Sequence, residues 1–120
     1  MLMSDGEIRS AVDNGELGIS DFADHCLQPA SYDLRIGSPS LRSGDTTEID
    51  VERERSIVLN AGQFALMNTY ESVKLPADIA GHIGVRSYYT RKGMILLAGL
   101  QIDPGFEGHL VLGVYNASPR

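Results

Sequence analysis

The sequence predicts a single, mainly β domain with one short N-terminal helix. Apolar and polar residues alternate at a period of two through most of the 120 residues. Thirteen glycines and five prolines cut these runs into short pieces at turn-like clusters. Helical spacing, by contrast, occurs only once, near the start. Many short strands separated by turn signals imply a sandwich, jelly roll or barrel. At this length one domain spanning 1–120 is expected, and 42% apolar residues suffice for one core.

The helix comes first. Ser4-Asp-Gly-Glu7 fits a capping box, in which a hydroxyl and a carboxylate satisfy each other's orphan backbone amides. Ile8, Ala11 and Val12 then recur at helical spacing, and Gly15 is placed to end the helix. Strand-like alternation follows at Tyr32–Ile36, broken by Gly37-Ser-Pro39. Thr46–Val51 and Ser56–Leu59 are the next expected strands, the second running into a turn at Asn60-Ala-Gly62. Gln63 starts another, broken at Pro76, and Ala80–Val85, Met94–Ala98 and His109–Tyr115 complete the series.

Composition excludes several functions. A net charge of −6 argues against a partner such as DNA or RNA, whose binding footprint is normally basic. It still allows a few local arginines to hold a small anion. One cysteine, Cys26, cannot form an intrachain disulfide. The apolar runs are too short for a membrane span and no leader pattern precedes them, so a cytoplasmic protein is expected. There is no Walker loop, no G-x-S-x-G and no H-x-E with P-C-x-x-C, which removes P-loop, α/β-hydrolase and zinc-deaminase chemistry.

Three segments carry more polar and glycine residues than a plain β domain requires. In Gln28-Pro-Ala-Ser-Tyr-Asp-Leu-Arg-Ile-Gly37, Asp33 and Arg35 would share one strand face, as a surface ion pair or as part of a site. Gly84-Val-Arg-Ser-Tyr-Tyr-Thr-Arg-Lys-Gly93 gathers Arg86, Arg91 and Lys92 around Ser87. It is either a phosphate pocket of arginine forks and a hydroxyl or a solvated basic turn. Tyr88 and Tyr89 could stack on a base or pack in the core. Around Asp103-Pro-Gly105, Asp103 either starts a turn or acts as a general base with Phe106 beside it.

Taken together, "QPASYDLRIG", "GVRSYYTRKGM" and "AGLQIDPGFEGHLVLGVYN" resemble the ordered motifs of the dUTPase/dCTP deaminase superfamily. The N-terminal "SDGEI" resembles the helix start of its deaminase branch. The resemblance covers most of the chain. It implies a distorted jelly roll, the dUTPase-like β-clip barrel, assembled as a homotrimer with active sites shared between subunits. It further implies that Arg86, Ser87 and Arg91 hold the triphosphate and that Asp33 lies in the magnesium–triphosphate region. Gly99, Leu100, Gln101, Ile102 and Phe106 would receive the base and deoxyribose. Family members continue beyond this point, so a C-terminal strand and lid are expected to be missing from the 1–120 domain.

The two branches of the superfamily differ after the hairpin. A metal-free dCTP deaminase has a proton-shuttling glutamate two residues before its Tyr-Asn, where this sequence has Gly113. Tyr88 also departs from the small residue usual in deaminases. A dUTPase instead needs an aspartate that activates water, with Mg²⁺ on the phosphates, and Asp103 falls where that residue belongs. The expectation from sequence is therefore dUTP hydrolysis to dUMP and pyrophosphate, with Asp103 catalytic and Mg²⁺ as cofactor. Deamination of dCTP and non-catalytic dNTP binding are the alternatives.

Overall fold

The computed structural model describes residues 2–44, 50, 53, 57–97, 99 and 101–119 of the chain. Helix α1 covers Asp5–Asp13, and the capping box forms as the sequence requires. Glu7 N donates to Ser4 Oγ at 3.2 Å, and Ser4 N donates to Glu7 Oε1 at 3.2 Å. Such a cap stabilises a helix end by about 1 kcal/mol, so a helix this short still depends on docking.

That docking is onto the far end of the longest strand. Strands β1 (Gly18–Ile19), β4 (Ile36–Arg42), β5 (Phe64–Lys74), β7 (Met94–Leu97) and β9 (Glu107–Asn116) form one antiparallel sheet. Along β5 the odd-numbered residues from Ala65 to Val73 are buried and Leu66 and Lys74 are exposed, the two-residue period of a sheet with one covered face. Ile8, Ala11, Leu17, Val73 and Leu75 make the core cluster, with Met3, Val12, Ile19, Leu27, Leu34 and Ile102 packed around it. Each such buried aliphatic side chain contributes about 1.5–3 kcal/mol.

β9 lies along one edge of β5, while β4 and then β1 occupy the other. Two small ladders flank this sheet, β2 (Leu27–Gln28) with β3 (Ser31–Tyr32), and β6 (Gly81–His82) with β8 (Gln101–Ile102). A 3₁₀ turn at Asp24–Cys26 and one helical turn, α2, at Ser87–Thr90 complete the order.

The strand expected at Tyr32–Ile36 is not continuous. Residues 33–35 leave the ladder, and β4 instead begins at Ile36 and runs through the Gly37-Ser-Pro39 stretch expected to break it. Its register shifts between Gly37 and Leu41, which accommodates a proline with no N–H to offer. Gly37 is required by close approach, because a Cβ there would stand 2.6 Å from Tyr70 Cα. The strand expected at Thr46–Val51 lies outside the described residues, Asp50 apart, and 57–60 carry no strand. The Ala80–Val85 strand shortens to β6, Ala98 is not among the described residues, and β9 extends beyond its predicted ends.

Candidate nucleotide site

Between β3 and β4 the chain turns two neighbouring charges in different directions. Gln28 Nε2 donates to Asp33 Oδ2 at 3.1 Å, and Arg86 Nε stands 3.7 Å from the same oxygen. That is an ion-pair distance, too long for a firm hydrogen bond. The first two sequence segments therefore meet within one chain. Arg86 remains 65% exposed, whereas Asp33 is mostly covered at 22%.

Arg35 does not pair with Asp33, contrary to the strand-face expectation. Its Nε donates to Glu71 Oε2 at 2.8 Å, and its own backbone N–H donates to Glu71 Oε1 at 2.9 Å. Its Nη2 donates to Asp21 O at 2.6 Å, and its guanidinium lies 4.9 Å from the Tyr70 ring centroid. The hydrogen bond that Arg35 donates to the Glu71 carboxylate is the main reason the Arg35 pKa rises above its ordinary value. Glu71 is fully buried, in a bulge where β5 advances from 68 to 72 while β9 covers only 109 to 111. Thr69 Oγ1 closes this knot, donating to Glu71 O at 2.8 Å and accepting from Leu110 N at 3.0 Å. Nearby, Ala23 N donates to the Tyr32 hydroxyl at 3.0 Å, and burial pushes that phenol's pKa up. Glu71 was not singled out from the sequence, although a carboxylate in phase with Ala65, Met67, Thr69 and Val73 was a signal of it.

The second segment is a short, exposed cationic turn. Thr90 N and Tyr89 N donate to Arg86 O, Arg91 N donates to Ser87 O, and Ala117 N ties Gly93 O to the end of β9. Among the described residues the Ser87 hydroxyl and the Arg91 guanidinium have no protein partner, which leaves both available to an anion. Tyr88 and Tyr89 are exposed and meet edge to face at 5.1 Å, so neither belongs to the core. Lys92 Nζ sits 4.7 Å from the Tyr88 ring centroid.

The third segment is held by its backbone. Phe106 N donates to Asp103 O at 3.1 Å, closing a turn with Pro104 and Gly105 at its centre. Gly105 has φ +83°, the left-handed conformation this turn demands at that position. Gly105 N donates to Pro76 O, and Leu75 N donates to Phe106 O, anchoring the turn to the end of β5. Gln101 Nε2 donates to Asp103 Oδ1 at 3.3 Å. Ile102 packs towards the core, Gly99 is exposed, and Leu100 lies outside the described residues. No described hydrogen bond or ion pair joins Asp103 to Arg86, Ser87 or Arg91. Asp103 thus occupies the turn-starting position that the sequence assigns to it.

Gly113 has a packing explanation. It pairs with Leu66 on one side and Leu97 on the other. A Cβ there would meet Leu97 O at 2.8 Å and Phe64 Cε2 at 2.9 Å. The missing side chain follows from how closely β7 and Phe64 approach β9, so it does not diagnose a hydrolase.

Among the described residues no group of three or more His, Cys, Asp or Glu converges, and the Asp33 carboxylate already accepts from Gln28 and faces Arg86. Nor is any helix among them long and apolar enough to cross a membrane.

Comparison with known proteins corrects the expected activity. The chain is 43% identical over 118 residues to a dCTP deaminase of Pyrococcus horikoshii, covering 98% of this chain and 70% of that protein. It is 36% identical over 133 residues to a "dCTP deaminase, dUMP-forming" of Streptomyces coelicolor, covering 97% of this chain and 69% of that one. In three dimensions it resembles the 2′-deoxycytidine 5′-triphosphate deaminase of Agrobacterium tumefaciens, with a TM-score of 0.72 at 23% identity. That match covers 96% of this chain and 42% of the other, and it establishes the dUTPase-like β fold. The expectation of a dUTP diphosphatase using Asp103 is overturned, because these relatives are named for deamination. A family model described as dCTP deaminase-like matches residues 2–120, and the chain belongs to that family within the dUTPase/dCTP deaminase superfamily.

Proposed function

We propose that the chain acts on dCTP, water replacing the amine at C4 of the base to give dUTP and ammonia. The observation that carries this is the identity, over practically the whole chain, to proteins named dCTP deaminases. The geometry supports the same substrate class. Arg86, Ser87 and Arg91 form an exposed turn with hydrogen-bonding capacity to spare, suited to phosphate oxygens. Asp33, steadied by Gln28, holds Arg86 loosely enough for a phosphate to displace it. Gly99, Leu100, Gln101, Ile102 and Phe106 take the base and sugar. Mg²⁺, if present, arrives with the triphosphate, since these cations commonly bind through substrate phosphates.

The superfamily resemblance supports a complete site shared between subunits of a homotrimer. The outer face of the main sheet supports this assembly. Leu66, Ile95, Leu97 and Val111 are all exposed there, an apolar surface of the kind that marks a protein contact.

A second reading, dCTP binding without turnover, is favoured by Gly113, which offers no group to move a proton and no room for one. Incubation with dCTP, with ammonia release and bound nucleotide both measured, separates the two. Ammonia with dUTP or dUMP as product supports deamination, and saturable binding without ammonia supports the second reading. A chain that neither binds nor deaminates dCTP would overturn both.

A further inference from the structure

The helical turn α2 and the residues after it place side chains in two adjacent rows, because residues four apart lie on one face. Ser87 and Arg91 form one row, and Tyr88 and Lys92 form the next. The first row already belongs to the proposed phosphate site. In the second, Lys92 Nζ rests 4.7 Å from the Tyr88 ring centroid. The Tyr88 ring is itself fixed edge to face by Tyr89 at an interplanar angle of 89°.

Lys92 meets no carboxylate among the described residues, although the chain carries 16 acidic side chains against 10 basic ones. The distinction matters electrostatically. A carboxylate would neutralise the ammonium, whereas an aromatic face orients it through the ring quadrupole and leaves its full charge in place. A lysine head otherwise samples many rotamers on a flexible four-carbon stem. The ring therefore parks an uncompensated cation within one helical turn of Arg86, Ser87 and Arg91.

We propose that Lys92 is a further phosphate-binding residue of this site and that Tyr88 is its positioning residue. The pair adds charge for a polyphosphate, favouring a nucleoside triphosphate over a monophosphate or free nucleoside. The proposal rests on the dCTP site described above, so inorganic tripolyphosphate serves as a second probe that needs no base recognition. Calorimetric titration of the wild-type chain, Lys92→Gln, Lys92→Arg, Tyr88→Phe, Tyr88→Ala and the Tyr88→Ala/Lys92→Gln pair provides the test. Both positions are exposed, and thermal unfolding of each variant checks that the fold persists.

Lys92→Gln should weaken dCTP and tripolyphosphate about tenfold, the scale of one charge-assisted contact, and leave deoxycytidine unchanged. Lys92→Arg and Tyr88→Phe should retain binding. Tyr88→Ala should cost about two- to fivefold, the worth of an exposed cation–π contact, and nothing further once Lys92 is glutamine. Loss of dCTP binding in the wild type with Lys92-dependent tripolyphosphate binding would fault the dCTP assignment while sustaining this one. Equal affinities in wild type and Lys92→Gln, or a wild type that binds neither probe, would overturn the role of Lys92.

Discussion

The two arginines Arg35 and Arg86 show how differently this chain treats the same side chain. Arg35, its side chain 37% exposed, is held by a buried carboxylate, a backbone carbonyl and an aromatic ring. Arg86 touches one carboxylate at 3.7 Å and is otherwise in solvent. Around Arg35 the bulged strand, Thr69 and Leu110 complete every polar group, and no buried side-chain polar atom among the described residues lacks a partner. Around Arg86 the hydroxyl and cations remain available. A charge whose hydrogen bonds are complete holds the fold, and a charge with bonds to spare can meet a ligand.

The sharpest way to break this contrast is to cut the closed knot. Glu71→Ala should destabilise the protein by about 3–5 kcal/mol in urea titration, because it leaves a partly buried guanidinium without its counter-charge. Replacing both members, as Arg35→Met with Glu71→Leu, should recover most of that loss. A single-variant cost below about 1 kcal/mol would mean the pair is solvated and no different in kind from Arg86.

A smaller effect is expected where the closed region is crowded without being charged. Gly113→Ala forces a methyl against Leu97 O and Phe64, at a cost of about 1–3 kcal/mol. Trimming the ring, as Phe64→Leu, should relieve part of it, and equal stability of Gly113→Ala and wild type would show that β7 has room to retreat. The smallest change in stability belongs to the open turn. Arg86→Gln should stay within about 0.5 kcal/mol of wild type while dCTP affinity falls at least about tenfold. A variant that unfolds instead would place Arg86 with Arg35 as a structural residue.

What could be read from sequence follows the same division. The capping box, the Asp-Pro-Gly turn and the alternation of β9 are local patterns, and each forms where its residues stand. The Arg35–Glu71 pair joins positions 36 residues apart, one just ahead of β4 and one within β5, and no spacing rule reveals it. β4 passes through Pro39 because it carries two more residues between Gly37 and Leu41 than β5 does between Asn68 and Leu66, an irregularity that only the pairing of the two strands reveals. Gly113 was legible as an anomaly, but its cause lies in Phe64 and Leu97, which only the paired sheet brings beside it. The exposed cationic turn was legible because its residues are contiguous.

The pairing of β5 with β9 has a consequence for the order in which this molecule comes together. Those strands enclose residues 75–106, which carry the cationic turn and the hairpin, so both segments of the proposed site sit inside one large closed loop. Bringing its ends together costs entropy before any cross-strand bond repays it, which makes such long-range sheets slow to form. β6 can pair with β8 inside that loop beforehand, yet the proposed site takes its final place on the sheet only once the loop has closed. Binding would then lengthen the lifetime of the folded state far more than it would hasten its formation.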